Sequence, residues 1–368
     1  MNHLPKVIVI IFLSFISINT YSQANTKKLK LYGDVRFRTE MDRNSDKTDG
    51  TIRDDRDRLR YRLRFGFNYT LTKNIEFGGR VRSGNPANQQ SPHVTLGKEF
   101  HSDDFSIDKA FLKLKSNKGL WAWAGKNSMP FWEQNEFLWD GDVNPEGLAL
   151  GGTFKLSEKS KLTPVLGHFI VGHSGENFSD DTSLSIIQLK LNSTIGVNNL
   201  TLSSGIVKGN NIPDKPDGTH TFFIDYKIWA TSLQYKFNKI GLVLGLDYFE
   251  NLSDYNNNSD IADIFEDQTT GYAGSLLYSI KKFQFGYYYA HVEKYALVDF
   301  FAQDDWVRWG TSDYTRSSNF DGHEFRIKYK INKQFNTVLR TYFVKGLETT
   351  GTTLETGTRI RLDLNIKF

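Results

Sequence analysis

From Arg58 to Tyr69 the chain alternates without a break. Arg58, Arg60, Arg62, Arg64, Gly66 and Asn68 occupy the even positions, and Leu59, Tyr61, Leu63, Phe65, Phe67 and Tyr69 the odd ones. A repeat of two belongs to a β-strand with two chemically different faces. In a soluble sheet the apolar face meets a core and the charged face meets water. In a transmembrane barrel the apolar face meets lipid and the charged face a wet lumen. Energy restricts the second case. One arginine on the lipid face near the midplane costs roughly 2–4 kcal/mol, so four would cost on the order of 8–16 kcal/mol. That rivals the whole stability of an ordinary domain. A strand of this kind crosses a membrane only with its arginines turned inward.

The rest of the chain favours the membrane. Aromatic residues are plentiful, 28 Phe and 17 Tyr, yet the mean hydropathy is −0.47. Alternating strands combine these two properties more easily than a packed core does. After the long polar stretch 41–57, alternation recurs around short and long connections in turn. Strands are expected near Leu29–Glu40, Ile75–Ser83, Phe105–Lys115, Leu120–Lys126, Gly147–Lys155, Leu162–Val171, Thr182–Leu191 and Asn199–Lys208. Others follow near Phe222–Phe237, Leu242–Glu250, Thr270–Ile280, Phe283–Glu293, His323–Lys330, Phe335–Lys345 and Glu355–Phe368. Strands of about 9–11 residues suit a tilted bilayer crossing. Short turns at one end and long loops at the other fit a barrel with a periplasmic and an extracellular rim. The expected fold is all-β, a transmembrane antiparallel up-and-down β-barrel of about 16 strands, within a range of about 14–18 set by boundary uncertainty.

The two ends fit this scheme. Lys6, the apolar run Val7–Ile18 and the small residues Thr20 and Ser22 read as a secretory signal peptide over residues 1–22, leaving residues 23–368 as the barrel. The apolar run is shorter than the ~20 residues of a spanning helix. At the other end Ile360, Leu362, Leu364, Ile366 and Phe368 alternate with Arg359, Arg361, Asp363, Asn365 and Lys367. A final aromatic on an alternating strand is the pattern that barrel assembly machinery reads. Cysteine is absent, which removes disulfides and thiolate metal sites. The formal charge of +4 is too small to argue for nucleic acid.

Four motifs carry a family resemblance. They are Tyr32-Gly33-Asp34-Val35-Arg36-Phe37-Arg38, the stretch Asp57–Gly66, Ser83-Gly84-Asn85-Pro86 and Leu138-Trp139-Asp140-Gly141-Asp142-Val143-Asn144-Pro145-Glu146-Gly147. On them the first 155 residues resemble the putative porin family of Bacteroidetes outer membranes. The chain is more remotely similar to alginate-exporting barrels, whose pores are arginine-lined. The resemblance implies a channel of the outer membrane of a Gram-negative cell. The second half resembles the family only in strand rhythm and in its last residue.

Closure of such a barrel makes the last strand a neighbour of the first. Inward faces then gather Arg326, Lys328, Lys330, Arg340, Arg359, Arg361, Arg36, Arg38, Arg58, Arg60, Arg62, Arg64, Arg80 and Arg82 into one pore-lining sector. Same-face neighbours lie about 6.8 Å apart along a strand, inside the Debye length of ~8 Å at physiological salt. Their fields overlap, and a wall of arginine favours anions. The carboxylates Asp34, Glu40, Glu76, Glu324 and Asp363 could neutralise part of it, but they are fewer. The expectation is a passive porin for small hydrophilic solutes with anion preference. The alternative is a substrate-specific channel for acidic saccharides or phosphate-bearing solutes.

The stretch Asp140–Glu146 resembles the start of a calcium loop, but Pro145 stands where that loop needs glycine and Gly151 where it needs glutamate. An Asx turn is the simpler expectation, with no metal and no cofactor. Trp132, Trp139, Asp140 and Asp142 could belong to a loop folded into the lumen as a constriction, or to a girdle at the membrane surface. Asp54, Asp55 and Asp57 read as a solvated loop cluster, with divalent ions shared with lipopolysaccharide the other reading. His168, His173 and His291 are scattered, and neither HExxH nor GxSxG occurs, so no enzyme is expected; a barrel-borne enzyme or adhesin is the remaining class. The expected partners are outer-membrane lipid and lipopolysaccharide, the assembly machinery reading Phe368, and small anionic solutes. Association into a homotrimer stays open.

Overall fold

The computed structural model describes residues 28–368 apart from 174, 176, 257, 312 and 313. The expected signal peptide lies outside the described residues. Sixteen long strands follow one another antiparallel. They are β1 (Leu29–Arg43), β2 (Arg56–Thr72), β3 (Ile75–Ser83), β4 (Phe105–Lys115), β5 (Leu120–Lys126), β6 (Glu146–Gly152), β7 (Ser160–Gly172) and β8 (Thr182–Ile195). Then come β9 (Asn198–Pro213), β10 (Phe223–Phe237), β11 (Leu242–Asn251), β12 (Thr270–Ile280), β13 (Phe283–Val292), β14 (Phe320–Lys330), β15 (Phe335–Gly346) and β16 (Thr356–Lys367). Each pairs with its sequence neighbour, and β16 pairs with β1, closing the cylinder. A ring of 16 strands is wide enough to leave an interior that side chains alone do not fill.

Closure is held by backbone and side chains together. Past the end of β16, Gly33 and Phe368 exchange two backbone hydrogen bonds of 3.1 Å. On the inner face Arg38 lies opposite Asp363, Glu40 opposite Arg361 and Asp42 opposite Arg359. All three pairs are bonded, at 2.7, 2.6 and 2.7 Å. Directly opposed unlike charges stabilise a sheet pair, and here they fix the register of the first strand against the last.

The outer face is apolar around the ring. Leu59, Phe65, Ile107, Leu148, Ile187, Leu246, Phe285, Phe325 and Leu364 are all exposed, which suits contact with lipid. The inner face divides in two. From β14 through β16 and β1 to β4 it is charged. From β7 to β13 it is apolar toward the long-loop end, with Phe169, Leu184, Ile186, Val207, Ile228, Phe249, Ala273 and Val292 buried in one cluster. Strand β10 therefore has two apolar faces: Ile224, Tyr226 and Ile228 buried inside, Phe223 and Trp229 exposed outside. The binary rule holds on one side of the barrel and lapses on the other, because something apolar fills that side.

Boundaries departed from expectation where the ladder is irregular. Strand β9 runs five residues further than its expected end at Lys208. It passes a bulge between Gly209 and Ile212, with Asn211 in the left-handed region at φ 52°. Strand β1 continues to Arg43, which brings Asp42 onto the inner face. Strand β6 stops at Gly152, and Phe154–Lys155 pairs with β7 as a separate short ladder.

The outward face makes a quantitative prediction. Leu246 is 60% exposed, midway along β11. Leu246→Arg should destabilise the barrel by about 2–4 kcal/mol if the site lies at the bilayer midplane. Reversible unfolding from lipid vesicles measures this, and a loss under about 0.5 kcal/mol would mean that this face does not meet hydrocarbon.

Candidate functional site

Three long connections fold into the barrel, and each is anchored by particular side chains. Residues 84–104 join β3 to β4. Arg82 donates to the carbonyls of Asn88 and Gln89, at 2.5 and 3.3 Å, and so holds the loop against the wall rather than facing open water. Val94–Thr95 then pairs with β2 at Arg60 and Tyr61. Residues 127–145 join β5 to β6 and cross the interior. Gln188 on β8 accepts from the Trp132 amide at 2.8 Å and donates to its carbonyl at 2.7 Å. Gln134 and Asn135 donate to Asp247 on β11. On the far side Asp142 binds Arg62 at 3.3 Å and also Arg64, and Asn144 donates to Asp108 on β4 at 2.7 Å.

Residues 293–319 form the third inward loop. Asp305 binds Arg361 and lies 3.7 Å from Arg38. Arg359 donates to the carbonyls of Asp305 and Val307 at 2.9 and 3.0 Å. Trp306 packs against Phe320 and Tyr342. It reaches the wall because residue 322 is glycine: a Cβ there would stand 2.8 Å from the indole. Leu297, Val298, Phe300, Phe301, Trp306 and Val307 join Phe137, Leu138 and Trp139 in the buried cluster. The two loops are tied directly, Asp140 N–H donating to Phe301 at 2.7 Å. Together they pack against the apolar inner face of β7–β13. The expected Asx turn is present, with the Asp142 amide donating to Asp140 Oδ1 at 2.7 Å. Among the described residues no group of three or more His, Asp or Glu is placed to hold a metal.

The basic sector faces the other half. Its arginines turn inward, and the wall and loops supply more carboxylates than expected. Arg58 binds Glu40, and Arg62 and Arg64 share Asp34 at 2.7 and 2.8 Å. Arg80 binds Asp108, and Arg326 binds Glu324. Arg340 binds Asp363 and lies 3.6 Å from Glu324. Arg36 donates to Asn365 at 2.7 Å, with Asp363 at 4.0 Å. Lys328 follows Arg326 along β14 toward the short-turn end. Of the compensating carboxylates, Asp42, Asp108 and Asp305 escaped the sequence reading. Asp42 lay past the expected strand end. Asp305 sits in a loop whose run Tyr295–Ala302 is unusually apolar for a solvated connection, the one signal that could have revealed it.

Two polar cavities lie along this wall. The outer one, of about 640 Å³, is lined by seven cations, Arg56, Arg58, Arg60, Lys98, Arg308, Arg359 and Arg361, against Asp103, Asp104 and Asp304. The inner one, of about 500 Å³, is lined by Arg36, Arg62, Arg64, Arg80, Arg326 and Arg340, with Glu136, Asp140, Asp142 and Glu324 among their counter-charges. His93 and Asp304 border both. Burial pushes the His93 imidazole well below its ordinary range, and Arg38 and Arg60 add to the effect, so it is neutral at pH 7.

Loop 127–145 carries its own titration. Burial raises the Asp140 carboxyl well above the usual carboxylate range, helped by Asp142, Asp304 and Glu136. Asp142 moves the other way, because Arg64 and Arg62 outweigh its burial. The folded state thus binds a proton at Asp140 that the unfolded chain has released. Stability from this group is greatest at low pH and falls as pH rises through the window above the ordinary carboxylate value. Asp140→Asn keeps one acceptor and removes the buried charge. It should raise the melting temperature at pH 8 and leave it unchanged at pH 3. An equal effect at both pH values would show that charge is not the cause.

Residues 44–188 match the putative porin family. The match begins after Tyr32–Arg38 and runs to the middle of β8, further than the resemblance read from motifs. No curated protein matches the chain by sequence. Among solved structures it is similar to OmpF of Salmonella typhi in complex with daunomycin, at 12% identity and a TM-score of 0.57, over 92% of this chain and 97% of that one. It is also similar to a loop L8 deletion mutant of the Vibrio cholerae outer-membrane protein OmpT, at 14% identity and 0.53, over 92% and 99%. A triple mutant of the Rhodopseudomonas blastica porin follows, at 11% and 0.51, over 92% and 100%. Residues 44–188 thus match the model of the putative porin family, and along its length the chain has the fold of the outer-membrane porins.

Proposed function

We propose that the barrel is a passive outer-membrane channel for small hydrophilic solutes and that it prefers anions. One observation carries the reading. The apolar loops occupy the β7–β13 side, so the polar cavities lie against the arginine-rich side. A solute crossing the barrel then travels along guanidinium groups whatever its route between the two cavities. The outer cavity retains more cations than carboxylates, even after Glu40 and Asp42 behind it are counted against Arg58, Arg361, Arg56 and Arg359. Partial pairing lowers the preference without cancelling it. Passage of this kind needs no cofactor and no energy source.

Reconstitution into planar bilayers under a KCl gradient tests this directly. The reversal potential should lie on the chloride side. One charge about 8 Å from a permeating ion in water is worth about 0.5 kcal/mol, roughly a twofold change in anion occupancy. Changing Arg60, Arg62 and Arg64 to Ala should therefore lower the chloride-to-potassium permeability ratio several-fold. An unchanged reversal potential would reject the preference, and no conductance in the parent protein would reject the channel.

A further inference from the structure

Arg60 is a buried member of the charge-bearing wall whose charge is poorly compensated. It is 9% exposed. Its nearest carboxylate is Glu40 at 3.8 Å. Its two hydrogen bonds, to Ser91 Oγ and to the His93 carbonyl, are both 3.3 Å long, and its Nε finds no partner. Glu40 is already bonded to Arg58 and Arg361 and lies 4.0 Å from Arg38, so one carboxylate serves four guanidiniums. Backbone register explains the deficit. Arg60 stands opposite Arg38 across β1 and β2, where Arg58 stands opposite Glu40 and Arg64 opposite Asp34. A buried cation left without a close partner is destabilising, and an orphaned buried donor calls for an explanation in a missing ion or water.

The same place holds two more orphans. Arg58 Nε and His93 Nε2 are without partners, and Arg58, Arg60 and His93 all border the outer cavity. Its volume of about 640 Å³ far exceeds the ≈ 30 Å³ share of one water, so it has room for more than a bare inorganic ion. Around the cations stand Asn85, Ser91, Ser102, Thr95 and Thr311, groups that both donate to and accept from hydroxyls.

We propose that Arg60, with Arg58 and His93 beside it, forms a binding subsite for the oxyanion group of a small hydroxylated solute, a sugar acid or sugar phosphate. The carboxylate or phosphate binds at Arg60, and the hydroxyls meet the Asn, Ser and Thr side chains. This rests on the channel reading, since it supplies the solute class that the outer cavity selects. Arginine suits the task because its N–H donors match the acceptor oxygens of carboxylate and phosphate. The neutral His93 adds a donor or an acceptor without adding charge.

Titration calorimetry on the detergent-purified barrel, run beside bilayer conductance, tests the subsite. Glucuronate and glucose 6-phosphate should bind saturably, and glucose at least tenfold more weakly. The tighter of the two anions identifies carboxylate or phosphate as the preferred group. Arg60→Gln should weaken both at least tenfold, while Arg60→Lys, which keeps the charge, should recover part of the loss. Heat-modifiable migration on gels confirms that each variant is folded. Saturable binding without conductance would leave the subsite standing and remove the channel. Conductance without saturable binding, equal affinity for glucose, or an unchanged affinity in folded Arg60→Gln would overturn the subsite and leave the channel.

Discussion

Strand β1 carries the constraint on which the barrel depends. A cylinder of this size turns many charges inward, and an unpaired one out of water is costly. The answer is a single strand bearing acids between two strands bearing arginines. Asp34 serves Arg62 and Arg64, Glu40 serves Arg58 and Arg361, and Asp42 serves Arg56 and Arg359. Glu40 and Asp42 therefore link three strands, and these links cross the one seam that the chain's connectivity does not supply. Slipping β16 by one residue along β1 would turn its arginines to lipid and leave the carboxylates alone. Closure and charge balance are one condition.

Filling the remaining space is a second condition. Side chains cannot span an interior of 16 strands, so loops do. Residues 127–145 and 293–319 bring in Trp139, Phe301 and Trp306, and the inner face opposite them becomes apolar to match. The same loops bring Asp142 and Asp305 to the basic wall. Each loop is thus amphipathic across the lumen, packed on one side and ion-paired on the other. The two polar cavities lie against the arginines, with the apolar cluster on the opposite side of the lumen.

Much of this was legible in the chain. Alternation located the strands, and four of them, β3, β4, β5 and β12, both began and ended where expected. The cost of arginine in lipid points Arg60, Arg62 and Arg64 inward, and in the folded chain they are buried or half-buried. What stayed hidden was non-local. Asp305 lies 56 residues from Arg361 and Asp142 lies 78 from Arg64, and no periodicity links them. Strand β10 is ambiguous for the opposite reason. Its inward Ile224, Tyr226 and Ile228 look like lipid-facing residues, because burial against a folded-in loop and burial in lipid select the same side chains. The channel reading rests on this division between loop and wall, which only the folded chain displays.

The register that balances Glu40 and Asp363 also puts Arg60 opposite Arg38 and Arg62 opposite Arg36. Like charges directly opposed destabilise a strand pair. Arg62 escapes by turning to Asp34 and Asp142, and Arg36 by turning to Asn365. Arg38 turns to Asp363. Arg60 has no such exit, since Glu40 is engaged by its neighbours and the loop 84–104 offers only a hydroxyl and a carbonyl. A neutral glutamine here would relieve the repulsion. Arg60 Nε is left without a partner beside the outer cavity, so the register that closes the barrel also leaves an unsatisfied guanidinium donor at that cavity's edge.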